Sequence, residues 1–140
     1  MTAVLDLGEI IEAIEERLKA TVTTCVEPLI TLEQVEDSAN PAPFIFFFLS
    51  NGTITNRGNS PVQFKDTGFW EFWIKAASMK GPDGFIDLFR KLVTNMSGFS
   101  PISGCSPFMC STYGIVGYYP EYLIYSVGFT SGALFSIERG

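Results

Sequence analysis

Side chains that ionise, attack or coordinate are the first place to look for chemistry, and this sequence sets few of them at useful spacings. Its 140 residues include no histidine, which removes the commonest general base and the commonest transition-metal ligand. Ser78 and Lys80 have the types of a serine–lysine dyad, but they stand two apart at a strand end with no companion motif. Glu12, Glu15 and Glu16 have the types of metal ligands or paired acid–base carboxylates, yet on a helix they read as a solvated face. The three cysteines, Cys25, Cys105 and Cys110, are odd in number and match no zinc or redox spacing. Cys105 and Cys110 are near enough in sequence to meet across a loop, but buried or half-buried free thiols are the simpler reading. No phosphate-cradling glycine loop, dinucleotide fingerprint, zinc-protease helix or nucleophile elbow occurs. No catalytic, cofactor-binding or metal residue is therefore assigned, and the chain is expected not to be an enzyme.

Aromatic residues are the second resource. Trp70, Trp73, Tyr113, Tyr118, Tyr119, Tyr122 and Tyr125 have the types of a base-stacking platform. Such a platform needs interleaved lysine and arginine to follow a phosphate backbone, and residues 97–137 contain none. With 15 acidic against 9 basic side chains the net charge is −6, the wrong sign for a nucleic-acid reader. These rings are expected in core and interface packing. A small-ligand pocket built from the aromatic strands is an alternative.

The elements that would position these residues are legible from periodicity. Leu7, Ile10, Ile11, Ile14 and Leu18 recur at helical spacing, with Asp6 and Glu9 placed as a capping pair. Thr21 to Glu27 is β-branched and predicts a strand. Asp37 to Pro43 is a turn-rich connection. Phe44 to Leu49 is apolar at every position, so its strand is central or covered on both faces. Asn51-Gly52 is a hairpin dipeptide, and the polar stretch at 51–66 predicts a loop or β-arm. In Phe69 to Ala77, Trp70, Phe72, Ile74 and Ala76 share a core face, while Phe69, Glu71, Trp73 and Lys75 share a partly covered one. Gly81 to Gly84 turns the chain, with Asp83 as the expected cap of a helix whose stripe is Phe85, Leu88, Phe89, Leu92, Val93 and Met96. Gly98 is placed to end that helix. Met109 to Tyr118, Tyr122 to Thr130 and Leu134 to Ile137 predict three further strands. The fold expected is a single α+β domain over 1–140, an antiparallel or mixed sheet with two helices packed on it, in the order α-β-β-β-α-β-β-β.

Charge is polarised along the chain. Residues 1–40 hold nine acids and two bases, a net −7, and the remainder holds six acids and seven bases, a net +1. Mean hydropathy is +0.24 and there are 13 phenylalanines. Two short helices cannot cover so apolar a sheet, and exposed apolar patches mark interaction sites, so an obligate oligomer or assembly component is expected. The first eight residues lack the basic and apolar regions of a secretory signal. The longest apolar run, Phe44 to Leu49, falls far short of the roughly 20 residues of a membrane span.

The order of an acidic helix (Ile10 to Ala20), strands with a polar insertion, a Gly-Pro-Asp-Gly turn, the helix Gly84-Phe-Ile-Asp-Leu-Phe-Arg-Lys-Leu-Val closing on Ser97-Gly-Phe, and a tyrosine-rich pair from Tyr113 to Thr130 resembles the tail-terminator, or tail-completion, proteins of tailed bacteriophages, most closely the Mu-like contractile group. The resemblance covers nearly the whole chain and rests on element order rather than on a catalytic motif. It implies a structural virion protein at the tail–neck junction, assembled in the host cytoplasm. Such a protein forms a hexameric ring that caps the tail tube, and with it the sheath, and offers a docking surface to the neck. DNA would pass through its lumen without specific binding, and no cofactor or membrane is implied. A head–tail connector of the neck is the alternative within the same setting. Under this reading the candidate interface residues are Arg57 on the arm, Glu71, Trp73 and Lys75 on the partly covered strand face, Tyr118 and Tyr119, and Glu12 and Glu16 on the acidic helix.

Overall fold

A computed structural model of the chain describes residues 7–22, 25–59, 62–101 and 105–137, with backbone alone for 56–59, 62–64 and 133–137. The elements are α1 (Leu7–Thr21), β1 (Cys25–Pro28), α2 (Glu33–Glu36), β2 (Phe44–Asn59), β3 (Val62–Ala76), α3 (Phe85–Met96), β4 (Met109–Tyr118) and β5 (Leu123–Ile137). They form an α+β fold around one mixed sheet of order β1-β2-β3-β5-β4, in which β1 runs parallel to β2 and every other pair is antiparallel.

Four departures from the sequence reading have physical causes. The strand expected from Thr21 is shorter, because α1 continues through Thr21, whose hydroxyl donates to the Arg17 carbonyl one turn back. A one-turn helix, α2, forms inside the expected connection. Asn51-Gly52 is not a turn: both residues lie within β2, just after a register shift between Leu49 and Asn51. The two final strands are one, since Ser131 and Gly132 stay in register opposite Gly68 and Thr67 and the ladder with β3 is unbroken to Ile137. The polar 51–66 stretch is a β-arm, in which the outer parts of β2, β3 and β5 run on together beyond the core. The Asp6 cap lies outside the described residues.

Residues opposite one another in a ladder share a face, so the register assigns both sides of the sheet. On one side α1 and α3 pack with Ile10, Ile14 and Leu18, and with Phe85, Leu88, Leu92 and Met96, as their periodicity requires. Beneath them lie Ile45, Phe47, Trp70, Phe72, Ile74, Val127 and Phe129, all buried. Edge-to-face contacts of Phe72 with Phe129 (5.3 Å) and of Trp70 with Phe108 (6.2 Å) tie this layer together. Arg17 joins the two helices by donating to the Asn95 carbonyl at 3.1 Å and lying over the Phe99 ring.

The opposite face is half covered by the chain itself. Residues 29–43, including α2, cross it as a strap that buries Val35 against Phe44, Phe46 and Ile124. Phe44 to Phe47 are thus covered on both sides, but the cover expected as far as Leu49 stops there: Phe48 is half-buried and Leu49 is exposed. The strap is knit by Gln34, whose side-chain oxygen accepts from the amides of Ile30 and Thr31 and whose amide group donates to the Pro28 carbonyl. Asn40 donates in turn to the Gln34 carbonyl at 3.0 Å.

The turn before α3 differs in detail from expectation. Gly84, not Asp83, is the N-cap; Asp83 takes a left-handed φ of 59°, and the Asp87 carboxylate accepts from its amide. Gly98, with a φ of 83°, closes the helix beyond Ser97 as expected.

Candidate functional site

The strap ends short of Glu71, and there the second face opens. Glu71 on β3 lies opposite Phe48 of β2 and Gly128 of β5. Its carboxylate accepts from the Ser126 hydroxyl at 2.7 Å, from the Trp73 indole N–H at 3.3 Å and from the Ser50 hydroxyl. Ser50 is the extra residue of the β2 register shift, and such bulges re-aim side chains. Partial burial raises the Glu71 pKa, but the hydrogen bonds from Ser50, Ser126 and Trp73 outweigh it, so the group is held below the ordinary glutamate range and is ionised at neutral pH. Among the described residues no cation pairs with it.

The surroundings of Glu71 are aromatic on two sides and bare on a third. Phe48 meets Trp73 edge to face at 5.4 Å. The Phe69 ring occupies the space a side chain at Gly128 would need. Toward β4 the floor consists of Ser126, then Gly114 and Thr112, and a Cβ at Gly114 would have nothing within 4 Å. Tyr119, stacked on Tyr122 at 4.8 Å, stands over Gly117 and walls the far end.

That floor ends at an open strand edge. β4 is the last strand of the sheet, nothing among the described residues pairs with its outer side, and Met109 through Val116 are exposed without interruption. Met109, Tyr113, Ile115, Val116 and Tyr118 all present apolar surface, Tyr118 at 71% exposure, and the strand carries no charge and no proline. Natural edge strands are commonly protected by charge, proline or bulges, and of these β4 has bulges alone. Two register shifts, at Cys110/Thr112 and Ile115/Gly117, are the only interruptions of its ladder with β5.

Of the residues singled out in the sequence, Glu71 and Trp73 are brought together here, and Tyr119 borders the same face. Lys75 shares the face but not the surface: it is 3% exposed, and its ammonium donates to the carbonyls of Val35 (2.7 Å) and Asn40 (2.8 Å) while lying 4.4 Å from the Tyr122 ring centroid. It fastens the strap and is unavailable to a partner, a correction to its place among the interface residues. Tyr118 lies opposite Leu123 on the helix side of the β4 edge. Glu12 and Glu16 are exposed on α1, in the helix layer, remote from Glu71. The backbone of Arg57 belongs to β2, and its side chain lies outside the described residues.

Ser50, Ser126, Gln34 and Asn40 escaped sequence reasoning. Ser126 alone had a signal, its alternation with Tyr125 and Val127 in an apolar strand. Two of the cysteines depart from expectation, since Cys25 and Cys110 are exposed rather than buried, while Cys105 is half-buried as expected. A narrow cleft on the helix side, between Leu7, Ile10, Leu49, Asp66 and Trp70, holds one carboxylate, that of Asp66, which burial pushes up. Among the described residues no cluster of three or more histidine, cysteine, aspartate or glutamate side chains is placed to hold a metal, and no helix is long and apolar enough to cross a membrane. Comparison with protein-family models and with curated proteins gives no match to this chain.

Proposed function

We propose that this chain is a structural assembly subunit that works as a ring of copies closing the end of a phage tail tube. The observation that carries the reading is the β4 edge: ten residues long, uncharged, apolar and without a partner among the described residues. About half of its backbone N–H and C=O groups point outward, ready to extend the sheet into another chain. The strap covers part of the second face, so less apolar sheet is left open than the composition implies. What stays exposed lies in patches: a continuous one on β4, Ile30 and Leu32 on the outside of the strap, and Ile54 on the arm. A surface apolar in patches rather than throughout suits a subunit with defined neighbours.

In this role the chain sits at the tail–neck junction of the virion. One side of the ring meets the tail tube and sheath, the other the neck. The acidic first 40 residues suit a ring through which DNA passes without adhering, since phosphate binding needs the opposite charge. Purified chain, alone and mixed with tail tubes, is examined by sedimentation and negative-stain microscopy. Rings, and tubes capped at one end, are expected. A chain that stays monomeric at millimolar concentration and leaves tube ends bare overturns the reading.

A further inference from the structure

Two strand edges are open on opposite sides of the sheet. β4 is one. On the other side β1 pairs with β2 only from Phe44 to Phe47, so the outer edge of β2 from Phe48 to Asn59 has no partner among the described residues. The two edges differ in kind. β4 is uncharged and apolar, whereas the β2 arm is polar and carries a single charge between Phe44 and Asn59, Arg57, which sits at the register shift between Asn56 and Gly58. Unlike edges that pair join copies head to tail, the arrangement that closes into rings.

Glu71 provides an independent observation. It is an ionised carboxylate in an aromatic setting, satisfied by three neutral donors and by no cation among the described residues. Its contact with Ser126 leans it over β5. From there to a strand added outside β4 is two strand spacings, about 10 Å. An extended arginine and one hydrogen bond cover that distance. That path crosses Gly114, where a Cβ would meet nothing within 4 Å.

We infer that the outer edge of β4 receives the outer edge of the β2 arm from a second copy, and that Glu71 takes the basic side chain this strand brings across Gly114. The sequence supplies one candidate cation, Arg57. This inference rests on the self-assembly reading and names the contact that would carry it. Bidentate pairing of guanidinium and carboxylate fixes register as well as affinity, which an edge-to-edge contact otherwise leaves loosely specified.

The test is sedimentation velocity of the full chain from micromolar to millimolar concentration, with circular dichroism on every variant. Glu71→Arg and Arg57→Glu are each expected to weaken association about tenfold or more, and their combination to recover most of the loss. Gly114→Leu fills the open space and is expected to keep the wild-type melting temperature while weakening association equally. Association that is unchanged in folded Arg57→Glu and Gly114→Leu chains, or a double variant no better than the worse single one, overturns this contact while leaving self-assembly standing. Absence of association in the wild-type chain removes both.

Discussion

The ammonium of Lys75 donates at 2.7 Å to the carbonyl of Val35, forty residues earlier in the chain and in a different layer. Val35 itself is buried against Phe44, Phe46 and Ile124, so one charged hydrogen bond and one apolar side chain clamp the same turn of helix. A second bond from the same nitrogen to the Asn40 carbonyl secures the other end of the strap. The sheet face beneath is closed at the strap and opens within the four residues of β3 that separate Lys75 from Glu71.

Lys75→Met keeps the apolar stem and deletes both donors. The buried Val35 carbonyl and the part-buried Asn40 carbonyl then lose a charged partner, at about 1.5–3 kcal/mol for such a hydrogen bond. The variant is expected to lose about 2 kcal/mol in urea denaturation, and its 29–43 segment should become the first site of limited proteolysis.

Glu71 predicts a specific acid limb. Its folded pKa lies below the ordinary value because the hydrogen bonds it accepts outweigh partial burial. A carboxylate with a depressed folded pKa contributes stability that is fully present above its unfolded pKa and is lost as the pH falls through the folded one. Glu71→Gln should therefore be less stable than wild type by about 1 kcal/mol at neutral pH. The difference should shrink below about pH 4.3, the unfolded glutamate value, and close at lower pH. Paired denaturant titrations across that range measure it.

Gly84 has no room for a methyl group. A Cβ there would come within 2.5 Å of the Lys80 carbonyl oxygen, a backbone atom that moves only if the turn moves. Gly84→Ala is expected to cost about 2 kcal/mol, within the range of overpacked sites, and to lower the melting temperature by several degrees.

Ile115→Lys places a charge on an edge residue that is already 45% exposed. The monomer should stay within about 0.5 kcal/mol of wild type, as surface substitutions do. Association should fall sharply, because a lysine on a strand edge opposes pairing. Sedimentation and thermal melting separate the two effects.

Thiol labelling reads the same edge without mutation. Cys25 and Cys110 are both exposed, but desolvation raises the Cys110 thiol, so alkylation at pH 8 should reach Cys25 first. Cys110 lies on β4. Its labelling should slow further as protein concentration rises, which mass spectrometry of the alkylated peptides records.

Wherever burial is set by local period, the sequence determined the outcome. The stripes of α1 and α3 and the alternation of Trp70, Phe72 and Ile74 against Glu71, Trp73 and Lys75 follow from side chains repeating every 3.6 or every 2 residues, and the unbroken apolar run at Phe44 to Phe47 called for cover on both faces. The absence of histidine and the charge-free run at Met109 to Tyr118 were equally plain in one dimension. Tertiary structure alone decided what covers what. That Lys75 is buried while Glu71 four residues away is open depends on where residues 29–43 cross the sheet, a contact some forty residues distant with no local signature. That Ser50 reaches Glu71 depends on a bulge, and that Ser131-Gly132 continues a strand depends on β3 running on beside it. Periodicity reports which face a side chain occupies; only the packed chain reports whether that face has a neighbour.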